Sequence, residues 1–358
     1  IKYVEIDNTG AVVGTWYTIS NAGSNHYIDQ HIQAGKLYRI SVFGGTFRQI
    51  YFNSYNQSKD DIYRVTQWGS TDWRNFDGAF TGCSNLDVTA TDKPYLEDVQ
   101  YMNNMFYNCK NLKNTNGSIN TWDVSNVTQM QGMFSGDSLF NQPLNNWNTE
   151  KVQYMNHMFW GAKAFNQPLS FNTSSVTNMS NMFYNAVSFN SPLNFTNTSK
   201  VQWMSGMFYN DSAFNQQVNF NTSEVTDMSS MFYNAVSFNQ PVNFTNTSKV
   251  RSMSNMFSGA KVFNQPLYFN ILSVQDMSSM FQGAKKFNSP LNFTYSYPSK
   301  LKSTAQMFYE ASDFNQPINF NTDSVVNMIN MFCNDTMFNQ PVNFNTSQVR
   351  AMSGMFQN

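Results

Sequence analysis

The chain has 358 residues, 41% of them hydrophobic and 16% aromatic, with 33 Phe and 22 Met, so a substantial core is available. Charged residues are 12%, about half the usual share of roughly 25%, and polarity comes instead from Ser, Thr, Gln and 51 Asn. The net charge of −1 gives no electrostatic reason to seek nucleic acid or an anionic membrane, and no apolar run approaches the roughly 18 residues of a spanning helix.

The chain begins at Ile1 with no Met and no signal-like leader, which reads as a processed product or a segment of something longer. Residues 1–63 follow no repeat. Ile1-Lys-Tyr-Val-Glu-Ile, Gly35-Lys-Leu-Tyr-Arg-Ile-Ser-Val and Phe47-Arg-Gln-Ile-Tyr-Phe set β-formers between Gly and Asn turns. They predict a small β-rich domain that caps or assembles the remainder.

From residue 64 to 358 the chain repeats itself. Met-Phe recurs at Met105, Met133, Met158, Met182, Met207, Met231, Met256, Met280, Met307, Met331 and Met355, mostly at 24 or 25 residues. In the nine complete coils from Met133 onward a second Phe, followed by Asn, comes six residues after the first. Such a period marks a solenoid, because one unit cannot bury its own apolar side chains and must share a core with its neighbours. About twelve coils of 24–28 residues are expected. At about 4.8 Å per strand they would stack to roughly 55 Å.

One coil shows the expected elements. Val176, Met179, Met182 and Phe183 fall at i, i+3, i+6 and i+7, the spacing of one helical face about two turns long. Asn185 and Ala186 end it, and after Pro192 the alternation Leu193-Asn194-Phe195 predicts a very short strand. Stacked coils then give an α/β solenoid of short parallel strands and short helical segments, right-handed, with Phe134, Phe159, Phe183, Phe208, Phe232, Phe257, Phe281, Phe308 and Phe332 buried in one column.

The pattern Val-Thr-x-Met-x-x-Met-Phe-x-x-Ala-x-x-Phe-Asn-Gln-Pro-Leu resembles the repeat of BspA-like surface proteins. It is also similar to the roughly 25-residue repeat of mycoplasma surface lipoproteins, and both are related to the Treponema pallidum type of leucine-rich repeat. Thr66-Gln67-Trp68-Gly69 followed by Ala79-Phe80-Thr81-Gly82-Cys83-Ser84-Asn85-Leu86 carries the BspA-like form most closely. The resemblance covers residues 65–358 and implies a leucine-rich-repeat-like, non-catalytic protein, secreted or on the cell surface, with no shared ligand.

Four sets of residues depart from bare repetition. Cys83 and Cys109 occupy one column in adjacent coils, where later coils carry Ala or Asp. They are either small buried residues at a tight turn or a disulfide between stacked coils. The residue after Met-Phe is aromatic at Tyr107, Trp160, Tyr184, Tyr209, Tyr233 and Tyr309, a stripe that could stack sugars or pack against a neighbour. Fourteen Asn-x-Ser/Thr sequons include Asn194, Asn243 and Asn292, 49 residues apart, and the Asn-Thr-Ser asparagines Asn172, Asn197, Asn221, Asn246 and Asn345. The regular spacing reads either as duplication of a two-coil unit or as a glycan row in a host that N-glycosylates. Finally, Asn141, Asn166 and their equivalents invite a side-chain ladder.

No catalytic or cofactor motif appears. His26, His31 and His157 are scattered, and there is no Cys-x-x-Cys, phosphate loop or nucleophile elbow. The expected role is therefore non-enzymatic. One reading is a glycosylated structural subunit of an extracellular fibre; the other is an adhesin or a carbohydrate- or protein-binding surface module with glycans or matrix proteins as partners. For the fibre, Met352, Met355 and Phe356 would meet Ile1, Tyr3 and Ile6 of the next copy, head to tail, with Ile1 to Ile6 added as a strand.

Overall fold

The computed structural model describes residues 1–18, 33, 35–42, 48–52, 57–297 and 299–357. The sequon at Asn56 and the histidines His26 and His31 lie outside the described residues. The chain divides into two compact units, Ile1–Phe47 and Arg48–Asn358. The division expected at 63/64 thus falls earlier, because residues 48–52 and 57–63 join the coils. The Phe52 N–H donates to the Ala79 carbonyl at 3.0 Å, Gln49 bridges Asn75, and Ile50, Phe52 and Ile62 pack on the shared core.

The first unit is an antiparallel sheet of β1 (Lys2–Ile6), β2 (Tyr17–Thr18) and β3 (Leu37–Ser41), in the order β2-β1-β3. Tyr3 is buried between the rings of Tyr17, 5.2 Å away, and Tyr38. This corrects one expectation about assembly. β1 pairs with β3 along its whole length, and its other side is taken by β2 and by the bridge from Ile6 to Val12. Ile1 to Ile6 therefore has no free edge to lend to another copy.

The second unit is a repeat solenoid with little regular secondary structure. β4 (Arg64–Val65) pairs in parallel with β5 (Asp87–Val88), and two short 3₁₀ segments occupy Gln57–Asp61 and Ser118–Thr121. Thereafter the coils are joined by single parallel bridges. The main ladder runs through Tyr101, Gln129, Tyr154, Asn178, Trp203, Asp227, Ser252, Asp276, Ser303, Asn327 and Ala351, each just before a Met or, at Ser303, before Thr304. The short strand expected at Leu193–Phe195 is reduced to isolated bridges such as Leu169 to Leu193 and Leu193's counterpart pair Val218 to Val242.

The helical segments expected in each coil are absent among the described residues, and the backbone explains why. Between Met179 and Ala186 the N–H groups divide alternately. Those of Met182, Tyr184 and Ala186 close turns onto the carbonyl three residues back, at 2.9–3.2 Å. Those of Met179, Asn181, Phe183 and Asn185 instead donate to Trp203, Ser205, Met207 and Tyr209 of the next coil, at 2.8–3.0 Å. Asn181 and Asn185 have φ of 56° and 58°, the left-handed value that a tight turn can demand at its third residue and an α-helix cannot hold. Apolar residues at i, i+3 and i+7 thus share a face through linked turns rather than through a helix. Gly206 stands where Asn181 does one coil earlier; a Cβ there would lie 2.2 Å from the Asn181 Oδ1, so the Asn of one coil uses the space left by the Gly of the next.

Side chains reinforce the stack in columns. Phe80, Phe106, Phe134 and their equivalents to Phe356 are stacked at 5.4–5.8 Å, and all of those expected in the column are buried. The second Phe of each coil lies 3.9–4.3 Å from the first, as with Phe208 and Phe214. A third column carries Trp147, Phe171, Phe195, Phe220, Phe244 and Phe269. The Asn after the second Phe forms the expected ladder: the N–H of Asn215 donates to Asn190 Oδ1 at 2.9 Å, and the same bond recurs from Asn166 to Asn339.

Two substitutions test these columns. Phe208→Ala opens a void beside Phe183, Phe214 and Phe232 and should cost about 3–5 kcal/mol in urea unfolding. Asn190→Ala removes the acceptor of the Asn215 N–H on the exposed side of the stack and should cost about 0.5–1.5 kcal/mol.

Candidate binding surface

The aromatic stripe is built by register. Each member follows a buried Met-Phe pair, so its ring leaves the coil on the outer side at the same height as its equivalents. Trp160, Tyr184, Tyr209 and Tyr233 fall on four consecutive coils and form one continuous row. Trp160 and Tyr184 are tilted at 4.9 Å, Tyr184 and Tyr209 stack at 4.3 Å, and Tyr209 and Tyr233 stack at 4.4 Å. Both faces of Tyr209 are thus covered by its neighbours, while Tyr233, at the end of the row, has Ser258 in the equivalent place on the next coil. The Tyr209 hydroxyl is pushed up to about 12, chiefly by burial and then by its two tyrosine neighbours. It stays protonated and donates.

Tyr107 and Tyr309 are separated from that row. Tyr107 has Thr81 and Ser135 in the equivalent places on the adjacent coils, and 40% of it is exposed. Tyr309 lies between Gln282 and Cys333.

The sequon asparagines divide into two kinds. Asn194, Asn243 and Asn292 are exposed, and their backbone N–H groups are held by Leu169, Val218 and Leu267 of the preceding coil at 2.8–3.2 Å. In Asn172, Asn197, Asn221, Asn246 and Asn345 the side-chain oxygen accepts the N–H two residues on, at 2.9–3.1 Å. Asn148, Asn270 and Asn321 make the same turn without a sequon. Turn geometry therefore accounts for Asn throughout that column.

Cys83 and Cys109 are buried free thiols in this structure, and the Cys109 Sγ lies 3.1 Å from the Phe80 carbonyl, to which it donates. Burial raises both thiols, Cys83 to about 12. Of the residues assigned to assembly, Met355 is buried, while Met352 and Phe356 are exposed; Phe356 stacks on Phe332 at 5.4 Å. Among the described residues no group of three or more His, Cys, Asp or Glu stands within reach of one metal ion.

Sequence reasoning gave no weight to three buried acids. Asp137, Asp211 and Asp335 replace the Ala of the cysteine column and are almost completely inaccessible. The Cys109 N–H donates to Asp137 Oδ1 at 2.8 Å, whereas neither oxygen of Asp211 or Asp335 has a partner of normal geometry. Burial drives all three carboxyls up, Asp137 and Asp211 well above the ordinary range and Asp335 to about 7. Asp followed by Ser or Thr amid Ala-containing coils was the signal available in the sequence.

The folded chain holds these protons to higher pH than the unfolded chain, whose carboxyls release them near pH 4. The contribution of these three groups to stability is therefore greatest in acid and falls as pH rises through the folded value, which for Asp335 is about 7. Asp211→Ala, which restores the residue of the neighbouring coils at Ala186 and Ala235, should raise the unfolding temperature at pH 7 and raise it less at pH 4. Thermal melts at the two pH values give the comparison.

The repeat is also found in other proteins. The family described as "Mycoplasma protein of unknown function, DUF285" matches residues 74–195, 169–220, 216–297 and 294–358. No curated protein matches. Among solved structures, that titled "Crystal structure of TLR13-ssRNA13 complex" aligns at 15% identity with a TM-score of 0.29. The alignment covers 78% of this chain and 38% of that one, so the chain spans well under half of that protein's length, and a likeness of this size carries no argument. The family segments together run from residue 74 to 358, most of the chain, which therefore belongs to the DUF285 family of mycoplasma-type repeats.

Proposed function

We propose that this chain is a non-enzymatic scaffold displayed outside the cell, which presents a rigid face of stacked coils for recognition. One observation carries the reading: the repeated polar groups are spent inside the stack. The Asn ladder, the Asn turns and the Thr hydroxyls that bond the next coil (Thr149 to Asn172, Thr198 to Asn221, Thr247 to Asn270) hold coil to coil. What remains outside varies from coil to coil, and recognition uses such variation on a rigid frame. The sparse charge suits contact with neutral partners better than with polyanions.

The exposed row of Asn194, Asn243 and Asn292 belongs to the same reading. In a host with N-glycosylation these three should carry sugar ahead of the asparagines engaged in turns, and mass spectrometry of native material checks it. Bare asparagines at all three in such a host remove the glycan row.

The location is tested on intact cells of the source organism. Antibody to the coils should label unpermeabilised cells, and external protease should remove the label. Labelling that requires permeabilisation overturns the proposal.

A further inference from the structure

We propose that the cleft between Tyr51 and Tyr107 binds a neutral saccharide. This rests on the reading of the chain as a recognition scaffold and names one site and one ligand class for it.

The cleft has a volume of about 570 Å³ and is lined by Tyr51, Asp77, Thr81, Asn103, Tyr107 and Gln131 over a floor formed by Gly78. That size suits a short oligosaccharide. Its two aromatic rings differ from Tyr209, inside the row at Trp160 to Tyr233, in the respect that matters for sugar. A pyranose stacks its C–H face on an aromatic face, so the face must be free. Tyr107 has the small Thr81 and Ser135 on the coils either side, and Tyr51 is 57% exposed. Neither ring stacks on another among the described residues.

Tyr51 is held in place by the start of the stack. The Phe52 N–H donates to Ala79 and the Arg74 N–H to Arg48, both at 3.0 Å, which fixes the segment over Gly78. A Cβ at Gly78, whose φ is 61°, would stand 3.2 Å from Tyr51 Cε2. The glycine therefore lets the ring lie close against the floor.

The polar lining is preorganised. Asp77 Oδ1 accepts the Asn103 N–H at 2.9 Å, and Asn103 Oδ1 accepts the Gln131 N–H at 3.0 Å. The Asn103 amide also donates to Gln129 Oε1 at 2.9 Å. These bonds set three side chains in a line across successive coils, leaving Asp77 Oδ2 as an acceptor and the Gln131 amide as a donor. Sugar hydroxyls need both. Asp77 is the one formal charge in the lining, so an anionic sugar or a nucleic acid is disfavoured. A second cleft of similar volume has no aromatic residue and is lined by four charged side chains, of which Arg74 pairs with Asp98 at 3.7 Å, while Lys151 donates to the Asn126 amide oxygen at 2.6 Å.

The test is saturation-transfer NMR on the full chain with cellobiose, maltose, lactose, chitobiose and their trisaccharides. At least one should receive saturation. Tyr107→Ala and Tyr51→Ala should each weaken it about tenfold, the loss expected when one good stacking face goes. Tyr107→Phe should retain most of the binding, as should Tyr209→Ala inside the row, and unchanged unfolding temperatures exclude a folding effect. Absence of transfer to the whole panel, or binding that survives Tyr51→Ala and Tyr107→Ala, overturns the site. Binding lost instead with Tyr209→Ala moves recognition to the row and overturns it equally. None of these outcomes changes the labelling of intact cells, so failure of the site and failure of the surface reading are told apart.

Discussion

The structure depends on how the coil disposes of its backbone N–H groups. A helix satisfies its own interior, but a run of linked turns leaves every second N–H pointing along the stack with no partner in its own coil. In this chain those groups find the carbonyl 24 or so residues on, as Phe183 finds Met207 and Phe208 finds Met231. A single coil would be left with unpaired backbone as well as exposed phenylalanines. Order in one coil therefore requires its neighbours, and stability accumulates as a sum of coil-to-coil contacts.

That spacing then dictates the side chains. Rings carried on the same position of successive coils are brought to 5.4–5.8 Å, a distance at which flat rings of equal size stack and unequal ones leave gaps. Phe under Phe is the repeated solution, twice per coil for most of the length, with the fully buried Met side chains, such as Met179 and Met182, filling the irregular space between columns. The Asn ladder follows the same logic with amides: one oxygen accepts the N–H of its own counterpart, so the residue must be Asn in every coil for the ladder to continue.

Much of this was legible. Period, core columns, parallel pairing and the structural Asn ladder all follow from identities repeated in register. The helix did not survive because apolar spacing alone cannot separate two helical turns from a train of linked turns; both put i, i+3 and i+7 on one face. The distinguishing signal lay in the polar positions. Asn104, Gly132, His157, Asn181, Gly206 and Ser230 share one column and Gly82, Asn108, Gly136, Gly161, Asn185 and Asn210 another, and all have positive φ. A column rich in Gly and Asn marks left-handed backbone, which no helix interior accepts. The aromatic stripe was visible too, but whether rings show faces or edges depends on the coil spacing, which residue identities do not reveal.

The same spacing separates structural aromatics from available ones. At 4.3–4.4 Å, an outward tyrosine with tyrosines on both adjacent coils, such as Tyr209, has no face left to offer, however much of its edge is wet. A ring between two small residues keeps both faces. In a repeat of this kind, continuity of a column therefore favours the stack, and interruption favours a ligand. Tyr107, with Thr81 before it and Ser135 after it, breaks its column on both sides, at the end of the stack where Tyr51 supplies a second ring from outside the repeat.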